Sequence, residues 1–193
     1  VLQNPNAMIS KVTVFEEVAL GLKTRGVSED EIEKRVLEIL EICKLKSFRK
    51  WPIKALSYGQ KKRVTIASVL VLEPEIIIVD EPTAGQDLFH YREIMEFLKR
   101  LNEYGITILF ITHDMHLMLE YTDKAYVFND GQIIKSGNPA QILADKKVLE
   151  QANLRETSLH YVAEKIEINP EELISTFVYY EKNCEKEQKK AGD

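Results

Sequence analysis

Two kinds of hydrophobic pattern share this chain. Through residues 12–22 the apolar positions Val14, Phe15, Val18, Ala19 and Leu22 recur at helical spacing, and Gly26 ends the run. Ser28 and Glu31 stand three apart, as in a capping box, ahead of a second stripe of Ile32, Val36, Ile39, Leu40 and Cys43. Residues 1–50 therefore read as a small helical unit. At its start, VLQNPNAMIS carries two apolar residues straight into a Gln-Asn-Pro turn, as the end of a strand does. Ser57 as N-cap and Gln60 at the third helical position begin a further helix that runs into VTIASVLVL.

Beyond Pro74 the pattern changes. Residues 75–80 (EIIIVD) and 106–112 (ITILFIT) are continuous apolar runs, each expected to be a strand buried on both faces. A helix over 88–101 lies between them, with Gly105 where a helix C-terminus belongs. Strand, helix and strand in this order predict a βαβ unit and a parallel sheet covered by helices. A short helix is expected over 114–121. Residues 125–129 (AYVFN) and 132–136 (QIIKS) flank Asp130-Gly131, a hairpin turn signal. After Gly137, Asn138-Pro139 with Gln141 and Asn169-Pro170 with Glu172 start two helices by one device, and the polar residues from Asn183 on are expected to fray. The chain thus divides into residues 1–74, 75–137 and 138–193.

Composition narrows the class. The 193 residues carry 26 Lys+Arg against 31 Asp+Glu, a net charge of −5, with 45% hydrophobic and 30% charged residues. Those values exclude disordered, collagen-like and coiled-coil chains, and the mild acidity argues against a nucleic-acid coat protein. Two cysteines, Cys43 and Cys184, cannot make a disulfide scaffold, so a reducing cytoplasmic setting is expected. The longest nearly apolar run, residues 66–72, falls far short of the roughly 20 residues of a membrane span, and no secretory signal opens the chain. The first residue is Val1, not Met, and a fragment of a longer protein is expected.

Four elements carry candidate chemistry. In LSYGQKKR the helix beginning after Ser57 presents free N–H groups that attract anions, and Gly59 lets a phosphate approach the backbone. An ordinary capped helix is the alternative. Residues 76–81 deliver Asp80 and Glu81 at the carboxyl end of a strand, where α/β proteins place ligands. Asp80 suits a Mg²⁺ ion and Glu81 suits polarising a water for attack on a phosphoryl group; the alternative is two acids solvating a strand end. His113 ends the next strand and suits a terminal phosphate, or is simply structural; His90, His116 and His160 are expected to be surface or packing residues. Gln3 offers a polar side chain that suits completing a Mg²⁺ shell.

Taken together and in this order, these elements resemble the ATP-binding cassette (ABC) ATPases over residues 1–137. The resemblance makes Gln3 the Q-loop glutamine, residues 56–60 the LSGGQ signature, residues 76–81 the Walker B strand with its catalytic glutamate, residues 84–87 (AGQD) the D-loop, and His113 the switch histidine. QNPNAMIS, AGQD and the tail from GNPAQIL are most similar to the energy-coupling-factor ATPases, which work in pairs to drive vitamin or transition-metal uptake. The resemblance implies an α/β fold: an incomplete P-loop NTPase (ABC cassette) with a parallel sheet, a helical subdomain and a helical C-terminal extension. It implies ATP and Mg²⁺ as ligands and a second ABC ATPase subunit and transmembrane transporter subunits as partners, with no nucleic acid. It also implies a peripheral position on the cytoplasmic face of the membrane. Catalysis falls to Glu81 and His113, nucleotide contacts to Gln3, Ser57, Tyr58, Gly59, Gln60 and Asp87, and Mg²⁺ to Asp80 and Gln3. Ala7, Met8, Ile9 and Val14 are apolar candidates for docking a membrane partner, or pack internally.

Two departures stand out. No stretch of the 193 residues reads G-x-x-x-x-G-K-[ST]; Gly21 and Gly26 have the glycine spacing, but Val27-Ser28 follows and no strand precedes. The family's P-loop precedes its Q-loop and its strand lies between those at 106–112 and 125–129, so a gap in the sheet with exposed apolar edges is expected. The chain by itself is then expected neither to bind ATP tightly nor to hydrolyse it. Tyr58 replaces a customary glycine. The competing reading is a non-catalytic module that donates its signature helix to a complete cassette. A DNA-maintenance ATPase ranks last, because residues 3–56 hold no coiled-coil insertion.

Overall fold

The computed structural model describes the backbone of residues 1–85 and 87–191 and the side chains of residues 1–85 and 87–180. Contacts divide the chain into two compact units, Val1–Thr112 and His113–Asp193.

The first unit opens with helices α1 (Val14–Thr24), α2 (Glu29–Ile42) and α3 (Tyr58–Leu70). Their apolar faces meet in one core: Val14, Val18 and Leu22 of α1, Ile32, Val36 and Leu40 of α2, and Val64, Ile66 and Leu70 of α3 are all buried. Val14 therefore packs internally and offers no docking surface. Helix α1 is capped by Thr13 and Glu16 in a reciprocal box. Ser28 does precede α2, but its side chain makes no cap bond and the expected Ser28–Glu31 box does not close. Three acids, Glu29, Asp30 and Glu31, complement the helix dipole there instead. Of the glycines that mimic a phosphate loop, Gly21 lies inside α1, where an added Cβ would stand 2.9 Å from Leu72 Cδ2, and Gly26 turns the chain after the helix at φ +73°.

Strand β1 (Ile76–Asp80), helix α4 (Leu88–Glu103) and strand β2 (Thr107–Ile111) complete the unit as the expected βαβ. The strands are parallel, from Ile76 opposite Thr107 to Asp80 opposite Ile111. Val1 extends the ladder on the other side of β1, its nitrogen donating to Ile78 O at 2.6 Å and its carbonyl accepting from Asp80 N at 2.9 Å. Burial on both faces does not hold. Ile77 and Val79 are buried, yet Ile76, Ile78, Leu109 and Ile111 are 58, 49, 44 and 55% exposed. Helix α4 packs against β2, and its apolar stripe, which includes Phe97 and Leu101, is buried.

The second unit contains α5 (Met115–Tyr121), β3 (Ala125–Asn129), β4 (Gln132–Gly137), α6 (Pro139–Ala144), α7 (Lys146–Gln151), α8 (Ser158–Lys165) and α9 (Pro170–Ala191). Asp130 and Gly131 turn the β3–β4 hairpin at φ +48° and +75°, the positive values a type I′ turn requires. Its core gathers Leu119, Val127, Ile142, Leu143, Leu149 and Ile174. The predicted caps form: Asn138 Oδ1 accepts from Ala140 N, and Asn169 Oδ1 accepts from Glu171 N. His160 is buried, with Nδ1 3.3 Å from Leu143 O. Among the described residues the strands make two two-stranded sheets, β1–β2 and β3–β4. Cys43 is buried and free; Cys184, Gln86 of the AGQD segment and the side chains of the tail lie outside the described residues. No described helix is long and apolar enough to cross a membrane.

Candidate functional site

The N-terminus of α3 is built as its sequence predicts. Ser57 is extended (φ −63°, ψ 163°), its Oγ accepts from Gln60 N at 3.2 Å, and Gln60 Oε1 accepts from Ser57 N at 2.9 Å. The remaining N–H groups of the first turn have no intrahelical acceptor. Ser57 and Tyr58 are exposed, and a groove of about 230 Å³ runs past Ser57, Gly59 and Gln60, closed by Arg63, His90, Glu93 and Ile94. An added Cβ on Gly59 would meet only His90 Cδ2, at 3.8 Å, so packing inside this chain does not demand glycine.

Tyr58 turns away from the groove. Its hydroxyl donates to the carbonyl of Gln3 at 3.1 Å, which is how Gln3 joins the set; Gln3 itself is exposed. One turn further along α3, Lys62 is fully buried and donates to Glu81 O at 2.9 Å and Pro82 O at 2.6 Å. Burial lowers its pKa to about 8, against the opposing pull of Glu81 and Asp80. Glu81 takes φ +42°, a region that non-glycine residues seldom occupy. Its N–H donates to Ile111 O at 2.9 Å, and its Oε2 accepts from Thr112 Oγ1 at 3.3 Å. The carboxylate thus sits at the carboxyl ends of both parallel strands, beside half-buried Asp80.

Asp87 caps α4, Oδ1 accepting from His90 N at 2.9 Å, while both its oxygens lie 2.9 Å from His90 Nδ1. The bonds from His90 hold the Asp87 carboxyl below its usual range. His90 was expected at the surface or in packing; it is exposed and also lines the groove beside Gly59, a placement that only the packing of α4 against α3 reveals. His113 follows Thr112 directly, is exposed, and opens the second unit. Among the described residues no group of three His, Cys, Asp or Glu is placed to hold a metal. Two strand-end acids fit Mg²⁺, which keeps waters and phosphate oxygens and needs only one or two carboxylates.

Residues 1–84 match the family described as "ABC transporter". A putative ABC transporter ATP-binding protein of Clostridium perfringens is 57% identical over 185 residues, 95% of this chain and 33% of that protein. One of Enterococcus faecalis is 58% identical over 183 residues, 94% of this chain and 32% of that protein. The chain spans about a third of the length of the curated relatives it matches. Among solved structures, cbiO1 from Clostridium perfringens, part of the ABC transporter complex cbiONQ, superposes with a TM-score of 0.69 at 39% identity over 85% of this chain and 66% of that one. An ATP-binding cassette of an ABC transporter, MJ1267, gives 0.66 at 31% identity over 75% and 64%.

Proposed function

This chain belongs to the ABC transporter ATP-binding protein family, and we propose that it forms the signature-helix and Walker B part of an ATP-hydrolysing cassette of an energy-coupling-factor type importer. The phosphate loop comes from outside these 193 residues, and without it the chain is inactive. The observation that carries the reading is the exposed, capped N-terminus of α3 joined through Lys62 to the glutamate at the end of β1. A helix end prepared for an anion and an acid placed for a water are the two halves of phosphoryl-transfer chemistry.

Each residue then has a task. Ser57, Gly59 and the N–H groups of the following turn, with Tyr58 and Gln60 shaping it, face the terminal phosphate held by a second ABC ATPase subunit. Glu81 orients or deprotonates the attacking water. His113 contacts the terminal phosphate, and Asp87 links the two sites across the subunit interface. Asp80 and Gln3 hold Mg²⁺, which when bound neutralises phosphate charge. Transmembrane subunits are the further partners, by likeness to cbiO1 of a transporter complex, and place the protein on the cytoplasmic face of the membrane. Ala7, which is exposed, and Met8 and Ile9, half-buried, remain for that contact.

The test is ATP turnover in an assembly of this chain with the polypeptide that supplies the phosphate loop. Glu81→Gln lowers turnover by about 100-fold or more and leaves ATP binding in place. Unchanged turnover removes Glu81 from its role, and phosphate release by the 193-residue chain alone refutes its dependence on a partner. The second reading, a non-catalytic donor of the signature helix, is favoured by the helical state of residues 21–24, the segment whose glycine spacing mimics a phosphate loop. Under that reading the assembly hydrolyses ATP at the same rate with Glu81→Gln.

A further inference from the structure

Lys62 is fully buried although it carries an ammonium group, and neither the helix cap nor the hydrophobic core accounts for it. A methionine would fill the same space without taking an ammonium group out of water, which is costly. What the charge gains is a grip on two consecutive carbonyls, Glu81 O at 2.9 Å and Pro82 O at 2.6 Å. Those carbonyls belong to the reverse turn in which Glu81 takes φ +42°. Such a conformation persists only where the surroundings impose it. Three further contacts converge on it. Glu81 N donates to Ile111 O, Ala84 N donates to Glu81 O at 3.3 Å, and Thr112 Oγ1 donates to the carboxylate.

We infer that Lys62 is a positioning residue for Glu81: by holding the carbonyls of Glu81 and Pro82 it fixes the turn that aims the carboxylate at the end of β2. Lys62 touches no reacting atom and acts through the peptide. Because it stands five residues after Ser57 on the same helix, it also makes α3 the support of the acid as well as the bearer of the capped terminus. This inference rests on the functional reading above, in that Glu81 needs positioning only if it handles the water.

Two measurements test it. In the 193-residue chain, hydrogen exchange is followed for Lys62→Met, which keeps the length and removes the donors, and for Lys62→Arg, which restores them. The amides of Glu81 and Ala84 exchange at least about tenfold faster in Lys62→Met, while those of residues 66–70 stay within about twofold of the wild type. In the complete ATPase, Lys62→Met lowers kcat by about tenfold or more with KM for ATP within about threefold, and Lys62→Arg recovers at least a third of the wild-type kcat. Loosening spread evenly along α3, or a Lys62→Met enzyme with wild-type kcat while Glu81→Gln is inactive, overturns the inference. If Lys62→Met does not fold, Lys62→Leu, which also lacks the donors, takes its place under the same criteria. A wild-type rate in Glu81→Gln overturns the functional reading instead, and the exchange data then still decide whether Lys62 holds the turn.

Discussion

Replacing Ser57 separates two roles that one side chain combines. Ser57→Ala removes the bond from Gln60 N to Oγ, at 3.2 Å, and leaves the return bond from Ser57 N to Gln60 Oε1, at 2.9 Å, in place. N-cap losses run from about 0.5 to 2 kcal/mol. Ser57 is exposed, so water takes the freed N–H, and the loss is set near the middle of that range, at about 1 kcal/mol. Ser57→Asp keeps an acceptor of equal capping quality and adds a charge that the helix dipole favours, so its stability stays within about 0.5 kcal/mol of the wild type. The same charge faces the groove beside Gly59 and repels phosphate. Urea titrations of the three proteins, read by far-ultraviolet circular dichroism, give the stabilities, and turnover of the assembled ATPase gives the function. Ser57→Asp is expected to be stable and inactive. A stable Ser57→Asp that hydrolyses ATP at the wild-type rate refutes the phosphate role, and a Ser57→Ala protein of undiminished stability refutes the cap.

Three other perturbations probe the rest of the molecule. Burial brings the Lys62 pKa from 10.5 down to about 8, so between those values the unfolded chain holds a proton that the folded one has released. Stability contributed at this position therefore rises with pH through that window. The stability difference between wild type and Lys62→Met shifts in favour of the wild type from pH 7.5 to 9.5, and a difference that is constant in paired urea titrations contradicts the burial. Ile142→Ala, at a site 0% exposed in the second unit, costs about 2–5 kcal/mol by the same assay; a loss below 1 kcal/mol would mean that the core around α6 is not packed as described. Ile78→Thr on the open face of β1 changes stability by about 0.5 kcal/mol or less, and a loss above 1.5 kcal/mol shows that something covers that face in solution.

The local devices were readable because they are local. Ser57 and Gln60, Asp130 and Gly131, Asn138 and Pro139 each state their geometry within four residues, and each forms as its spacing says. Misreadings come where two distant segments decide. EIIIVD tells that the strand is apolar, not which of its faces a helix will cover, so Ile76 and Ile78 were expected inside and stand half-exposed. The box at Ser28 and Glu31 was expected and does not close. An equivalent pair, Thr13 and Glu16, does close, and the apolar stripe hides it by drawing the helix start two residues too early. Lys62 looks like any cation in a polar helical turn, and only its meeting with the Glu81 and Pro82 carbonyls explains why it lies inside. His90 joins the groove for the same tertiary reason.

Tyr58 replaces a glycine customary in the family, and its hydroxyl ends on the carbonyl of Gln3. A glycine there has no side chain to make that bond; with tyrosine, the start of α3 and the segment around Gln3 are latched by a hydrogen bond spanning 55 residues, added to the packing of α3 on residues 5–7 and to the seat of Val1 on β1.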